Sequence, residues 1–220
     1  MDASAATTLD ERQAPTPVPP PEQRPFPFEV PTPADEAAIR KQLGDRGMPG
    51  KIGVARRCCW GYPQAVVNAP LLVGPRLSVA STLTRLTCPL LVAAVNELEH
   101  EKQIERYDER VRRDPKLWRE LEATHRSAAR DRVALLPAEW RQRLERDPQL
   151  AHFRWVLYET GLSGISRTDH IKCLHAHLAD YLGRTDNPIG RKVAATLRAR
   201  GIPLEGTREC WRYCTPAEGV

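Results

Sequence analysis

The chain has no apolar run close to the roughly 20 residues that cross a bilayer. Its longest candidate, Pro89 to Val95, is far too short, so no membrane partner is expected. No basic patch leads into an apolar stretch near the first residues, so no secretory leader is expected either. There is no phosphate loop, dinucleotide fingerprint, Gly-x-Ser-x-Gly elbow or His-Glu-x-x-His helix, which lowers the odds of the common enzyme classes without excluding a rare one. Helix-turn-helix, zinc-finger spacing and aromatic RNA-binding motifs are also missing. Hydrophobic residues make up 41% of 220, below the usual globular share, whereas proline is abundant at 20. The expected setting is intracellular, in the cytoplasm. There, six cysteines read as thiols or metal ligands before they read as disulfides.

Proline organises the chain. Residues 1–33 contain Ala14-Pro-Thr-Pro-Val-Pro-Pro-Pro21, which favours extended polyproline conformations, and a disordered tail is expected through Pro33. Thr32 then caps a helix with Pro33 in its first turn and Asp35 at its positive end. Residues 51–87 are rich in Val, Ile, Leu and Thr between Gly and Pro, and read as three short strands: 51–57, 64–72 and 78–86. From Pro89 onward the chain is helical. Proline follows a capping residue at Cys88-Pro89, Asp114-Pro115, Asp147-Pro148 and Asn187-Pro188. The expected fold is α+β and mostly helical, a three-stranded antiparallel sheet packed by about six helices. Its globular part spans residues 34–205, and residues 206–220 form a C-terminal tail.

Certain residues are similar to those of a known family. Arg57-Cys58-x-x-Gly61-x-Pro63, Leu86-Thr87-Cys88-Pro89 and Leu98-Glu99 resemble the first half of a largely bacterial family catalogued as domain of unknown function 501. Asp114-Pro115-x-Leu117, His125 with Arg132, Lys172-Cys173-Leu174-His175-Ala176 and Asn187-Pro188-Ile189-Gly190 resemble its second half. The resemblance covers about residues 44 to 195. It departs at Asp180, where the family often has a second histidine, and in an extra segment near 135–147. It implies a fold group and a candidate site but no activity.

Topology adds to this. In an antiparallel meander, the strand ending at Cys58 and the strand ending at Leu86 finish at the same edge. Cys58 or Cys59 then lies within roughly 10 Å of Cys88. Cys88 precedes Pro89 at a helix N-terminus, where thiolate is favoured. Cys58, Cys88, Cys173 and one histidine suit zinc, and three thiolates with one further ligand suit an iron–sulfur cluster. In a regular helix over 169–182, Cys173 and His175 point 160° apart and His177 is the better ligand. If the helix starts late, His175, which the resemblance marks, is the ligand. Buried structural thiols are an equal reading, and a reactive thiol or disulfide a third. Cys210 and Cys214 fall in the expected tail. His125, Arg132 and Lys172 are a candidate anion site.

Charge permits a polyanion partner. Residues 1–33 carry net −3 and the remainder net +8, with Arg191, Lys192, Arg198 and Arg200 on the last helix. The sequence therefore favours a metal or thiol protein acting on, or bound to, an anionic partner such as RNA. A non-enzymatic interaction protein with structural cysteines is the alternative.

Overall fold

A computed structural model of the protein describes residues 14–44 and 50–215. The fold is α+β and mostly helical. Six strands, β1 (Ala14–Pro15), β2 (Lys51–Arg57), β3 (Pro63–Asn68), β4 (Leu71–Val73), β5 (Ser78–Val79) and β6 (Thr84–Leu86), form two three-stranded antiparallel sheets rather than one. The second and third expected strands each divide. Pro70 cannot donate to a ladder, and the break at Ala69-Pro70 separates β3 from β4. The meander β2-β3-β6 survives, with Arg57 opposite Pro63 and Ala65 opposite Leu86. Strands β4 and β5 peel away and pair with β1 in the order β1-β4-β5.

Among the described residues there are eight α-helices: α1 (Pro33–Leu43), α2 (Pro89–His100), α3 (Gln103–Arg113), α4 (Pro115–Ala134), α5 (Ala138–Arg146), α6 (Ala151–Tyr158), α7 (Leu174–Gly183) and α8 (Pro188–Ala199). The proline starts hold for α2, α4 and α8, and Pro148 opens a 3-10 turn. Thr32 caps α1 in a full capping box with Asp35. The two helices beyond the expected six include α3 and α5, which carry few apolar residues and bury little; the extra segment near 135–147 contains α5. None of the helices among the described residues is long and apolar enough to cross a membrane.

Helix α7 is central. It lies on one face of the β2-β3-β6 sheet and against α8, and its Leu174, Leu178 and Ala179 join Leu91, Val95 and Leu98 of α2 and Val193 and Leu197 of α8 in the main core. Gly190 permits the α7–α8 approach: a Cβ there would come within 2.1 Å of the His177 carbonyl oxygen.

Two expected tails are corrected. Residues 1–13 lie outside the described residues, but 14–33 pack on the molecule. Phe26 and Phe28 alternate with prolines in extended chain, so both rings face one way and bury against Ile52, Val67, Leu83 and Leu135. Gly53 leaves room for the Phe28 ring, which a Cβ would meet at 2.3 Å. At the other end, residues 216–220 lie outside the described residues, while 204–215 cover the β2–β3 turn. Cys59 N–H donates to Glu205 O at 2.8 Å, Trp60 Nε1 to Thr207 O at 2.8 Å and Gln64 Nε2 to Leu204 O at 2.5 Å. Proline content misled because it forbids regular structure without forbidding burial.

If the Pro-rich segment belongs to the core, Phe28→Ala should cost about 3–5 kcal/mol of unfolding free energy, as for other buried phenylalanines. Urea denaturation measures this. A loss below about 1 kcal/mol would return the segment to the status of a tail.

Candidate metal centre

The candidate centre forms where α2 meets the start of α7. Val92 and Glu99 are seven residues apart on α2 and therefore share a face. Cys173 is the residue before α7, with extended backbone at φ −156° and ψ 120°. The helix starts late, at Leu174, which places His175 rather than His177 beside Cys173. With Cys173 outside the helix, its sulfur and His175 turn to the same side.

Glu99 Oε1 accepts the Leu174 N–H at 2.7 Å, so a carboxylate from α2 caps the positive end of α7. His175 Nδ1 lies 3.1 Å from the same Oε1 and 3.8 Å from Cys173 Sγ. Its Nε2 faces the Val92 carbonyl oxygen at 3.3 Å. A carbonyl only accepts, so Nε2 carries a proton; when the ring is charged Nδ1 donates to Glu99, and when it is neutral Nδ1 turns its lone pair toward Glu99 and Cys173. Burial, the largest single influence on His175, disfavours its charged form. Cys173, Glu99 and the Val92 carbonyl together outweigh burial and hold the pKa above the ordinary histidine value. Among the described residues this is the one place where three candidate ligand atoms lie within 4.8 Å of one another.

Cys173 and His175 line a cavity of about 400 Å³ together with Asn68, Thr82, Thr84, Arg85 and Ser163. Asn68 Oδ1 and Thr84 Oγ1 are buried without a hydrogen-bond partner. Ser163 has φ 60°, a left-handed conformation that side chains other than glycine seldom adopt. The turn from Gly161 to Ile165 holds it there. Gly161 N–H donates to Ile165 O at 2.7 Å, and Leu162 N–H donates to His125 Nδ1 at 3.2 Å.

The other sequence candidates fall elsewhere. Cys58 and Cys88 do reach the same end of the sheet. Cys58 N–H bonds to Tyr62 O, and Cys88 N–H bonds to Gln64 O. Among the described residues they do not join Cys173 in a group of ligand atoms within 4.8 Å of one another, the grouping that the four-ligand site and the three-thiolate cluster expected from sequence call for. Their neighbours are the buried Cys210 and Cys214, which the sequence placed in a tail. Burial pushes the Cys88 thiol up, and the nearby Cys58 and Cys210 add to it, whereas backbone bonds from Leu91 and Leu90 oppose it. The expected thiolate at the α2 N-terminus is therefore disfavoured, because burial outweighs the helix end.

Nor do His125, Arg132 and Lys172 make an anion site. Arg132 is fully buried, and its five N–H groups go to the carbonyl oxygens of Ser81, Leu157, Thr160 and Gly161 and to the Thr160 hydroxyl. His125 is 2% exposed, and burial, with the charges of His177, Arg132 and Arg184, lowers its pKa to about 3. Lys172 Nζ is 3.4 Å from Ser163 O. His177 is buried and bonds Asn187 Oδ1 through Nδ1 at 3.1 Å. On α8 and at its C-terminal cap, Arg191 pairs with Asp186 and Glu120, Arg198 with Glu205 and Arg200 with Glu101, so most of the positive charge there is already matched.

Glu99 is the functional candidate that the sequence left without a role, although Leu98-Glu99 was among the residues of the resemblance. Its seven-residue spacing from Val92 was visible; its meeting with Cys173 was not.

A family model described as protein of unknown function (DUF501) matches residues 54–195. No curated protein and no solved structure matches the chain. Glu99, Cys173 and His175, with Arg132 and Asn187, all fall inside the matched span.

Two outcomes follow from these buried groups. Arg132→Lys keeps the charge but not the planar fork, and should cost several kcal/mol, because each buried carbonyl left unpaired costs about 1–3 kcal/mol. Denaturant unfolding reads it, and a loss under about 1 kcal/mol would make the clamp dispensable. His125 and His177 are also held neutral when folded, with pKa values lowered to about 3 and about 4, mainly by burial. The unfolded chain takes up these protons near pH 6.5, and the folded chain does not. Their stabilising effect is therefore complete above about pH 6.5 and lost as pH falls toward 4, by up to about 1.4 kcal/mol per pH unit for each histidine. Urea midpoints measured down this range should fall, and less steeply in His125→Gln. An equal slope in that variant would show that His125 does not carry the effect.

Proposed function

We propose that this chain, which belongs to the DUF501 family, binds one zinc ion on Glu99 Oε1, Cys173 Sγ and His175 Nδ1 and uses it on a small polar substrate. The observation that carries the reading is that Glu99 and Cys173 both face the same ring nitrogen of His175. A nucleophile–base–carboxylate relay needs the sulfur on one ring nitrogen and the carboxylate on the other. Three acceptors around one point instead suit a shared cation. Separations of 3.8 Å and 3.1 Å are close to the roughly 3.5 Å edges of a tetrahedron built on zinc–ligand bonds.

The donor set favours zinc over harder ions. A thiolate, an imidazole and a carboxylate match its borderline character, whereas magnesium and calcium take oxygen. The surroundings also orient two of the three ligands. Val92 O fixes the His175 tautomer, and Leu174 N–H fixes the Glu99 oxygen, both through partners outside the ligand set. Three protein ligands leave a fourth position, the pattern of catalytic rather than structural zinc. Zinc held in this way brings a bound water's pKa to near 7 and polarises a carbonyl or phosphoryl oxygen.

The chain's own residues supply binding. Asn68 and Thr84 bring polar atoms that the folded chain leaves unpaired, and Arg85, exposed beside them, offers a guanidinium to a carboxylate or phosphate. A small polar or anionic molecule fits a cavity of about 400 Å³ with this lining.

Metal analysis of protein purified without chelators should find close to one zinc per chain. The zinc should be lost in Cys173→Ser, His175→Ala and Glu99→Gln and kept in His177→Gln. A metal-free protein that also takes up no zinc on titration would sink the reading. Zinc retained in His175→Ala but lost in Cys58→Ser would sink it too, and would move the metal to the thiols at the sheet edge.

A further inference from the structure

A second cavity lies against the Gly161–Ile165 turn, which also borders the cavity beside the candidate metal centre. It holds about 540 Å³, in the range of small-molecule sites. Its wall combines apolar side chains, Ala129 and Val133 of α4 and Ile165 of the turn, with four arginines: Arg126, Arg130, Arg141 and Arg167. One carboxylate, Glu159, shares the lining. Arg126 pairs with Glu122 and Arg167 with Asp169. Arg130 and Arg141 make no ion pair among the described residues, so the cavity carries an excess of positive charge.

Two polar groups in the same lining have no partner. His125 is almost wholly buried. Its Nδ1 accepts from Leu162 N–H, which makes Nε2 the protonated nitrogen, and that nitrogen is unpartnered. The Tyr158 hydroxyl is likewise buried and unpartnered. A buried donor without an acceptor costs about 1–3 kcal/mol, and folded proteins tolerate few such groups unless something else satisfies them. Both groups can donate, which suits an oxygen-rich acceptor. Here an apolar floor, unmatched guanidinium groups and two unsatisfied donors occur together.

We propose that this cavity is a second binding site, for a small amphipathic anion: an apolar or planar body seated against Ala129, Val133 and Ile165, with a terminal phosphate or carboxylate held by Arg130 and Arg141. The site is independent of the metal centre and uses none of its ligands. It also differs from the anion set expected from sequence. Arg132 and Lys172 take no part, and His125 contributes as a neutral donor in the wall. Two guanidinium groups fix the charged end, and the apolar wall selects for the body. Inorganic phosphate alone would forgo the apolar contact, and a neutral body alone would forgo the charge-assisted bonds.

The test uses the full chain and three probes that separate these contributions: 1-naphthyl phosphate, 1-naphthol and inorganic phosphate, titrated by fluorescence or calorimetry. The expected result is saturable binding of one 1-naphthyl phosphate per chain, with each of the other two at least about tenfold weaker. Arg130→Gln with Arg141→Gln should weaken 1-naphthyl phosphate at least about tenfold while leaving thermal unfolding unchanged, because both side chains are exposed. Val133→Trp, which fills the cavity, should abolish binding, and the Glu99→Gln variant should bind as the parent does. The proposal is overturned if 1-naphthyl phosphate shows no saturable binding, if 1-naphthol binds equally well, or if the double arginine variant binds undiminished. Binding lost in Glu99→Gln would also overturn it, since the probe would then occupy the metal centre.

Discussion

A single buried guanidinium holds the middle of this molecule in place. Arg132 sits at 0% exposure and makes no ion pair among the described residues, its charge met by backbone carbonyls and one hydroxyl. Burial, with the neighbouring charge of Arg184, lowers its pKa to about 10, which leaves it charged at neutral pH. Leu157 O, Thr160 O and Gly161 O belong to the end of α6 and the turn after it, where carbonyls have no partners within the helix. Ser81 O comes from the link between the two sheets. A flat fork with five fixed N–H directions can gather all of these at once, and no other side chain can. The fork thereby fixes the Gly161–Ile165 turn, which walls both cavities.

A second polar network does the same for the helices that carry the candidate ligands. Asn187 caps α8 by accepting from Ile189 and Gly190 N–H, also meets His177 Nδ1, and donates to Asp180 Oδ2 at 3.0 Å. Arg184 bonds the same Asp180 and reaches Asp131 on α4 at 2.6 Å. Every member is buried or nearly so, and each finds partners, the condition under which buried polar groups order a core rather than weaken it. The network pins α7 to α4 and α8, and so sets where Cys173 and His175 stand relative to Glu99. Asp180, which accepts from both Arg184 and Asn187, is the hub of that network.

The thiols show how local chemistry and packing compete. Cys88 occupies a helix N-terminus, where thiolate is favoured in isolation. Enclosed at the sheet edge with other thiols, it is instead held protonated, burial being the larger effect. Cys59 and Cys210 flank Gly206, each sulfur 3.1 Å from where its Cβ would be. Cys173 lies by itself among apolar neighbours, beside one carboxylate and one imidazole. The residue type is the same throughout, and the surroundings give it different chemistry.

Local rules in the sequence determined a good deal. Thr32, Asp114 and Asn187 at helix starts, proline in the first turn, and β-branched runs between Gly and Pro were sufficient for the α+β class, the meander and the starts of α1, α2, α4 and α8, because caps and turns act within a few residues. The shared edge of Cys58 and Cys88 was also legible, since strand connectivity alone brings it about. What only the tertiary structure decided depends on contacts between distant segments. Whether Pro-rich chain is buried turned on where Phe26 and Phe28 found a face. Arg132 became a clamp rather than an anion ligand because four carbonyls 25 to 51 residues away along the chain surround it. That His175 rather than His177 stands beside Cys173 rested on one backbone conformation at Cys173, and the meeting of both with Glu99 on α2 crossing the start of α7. No periodicity or spacing within one segment encodes such a crossing; it is fixed when the helices pack.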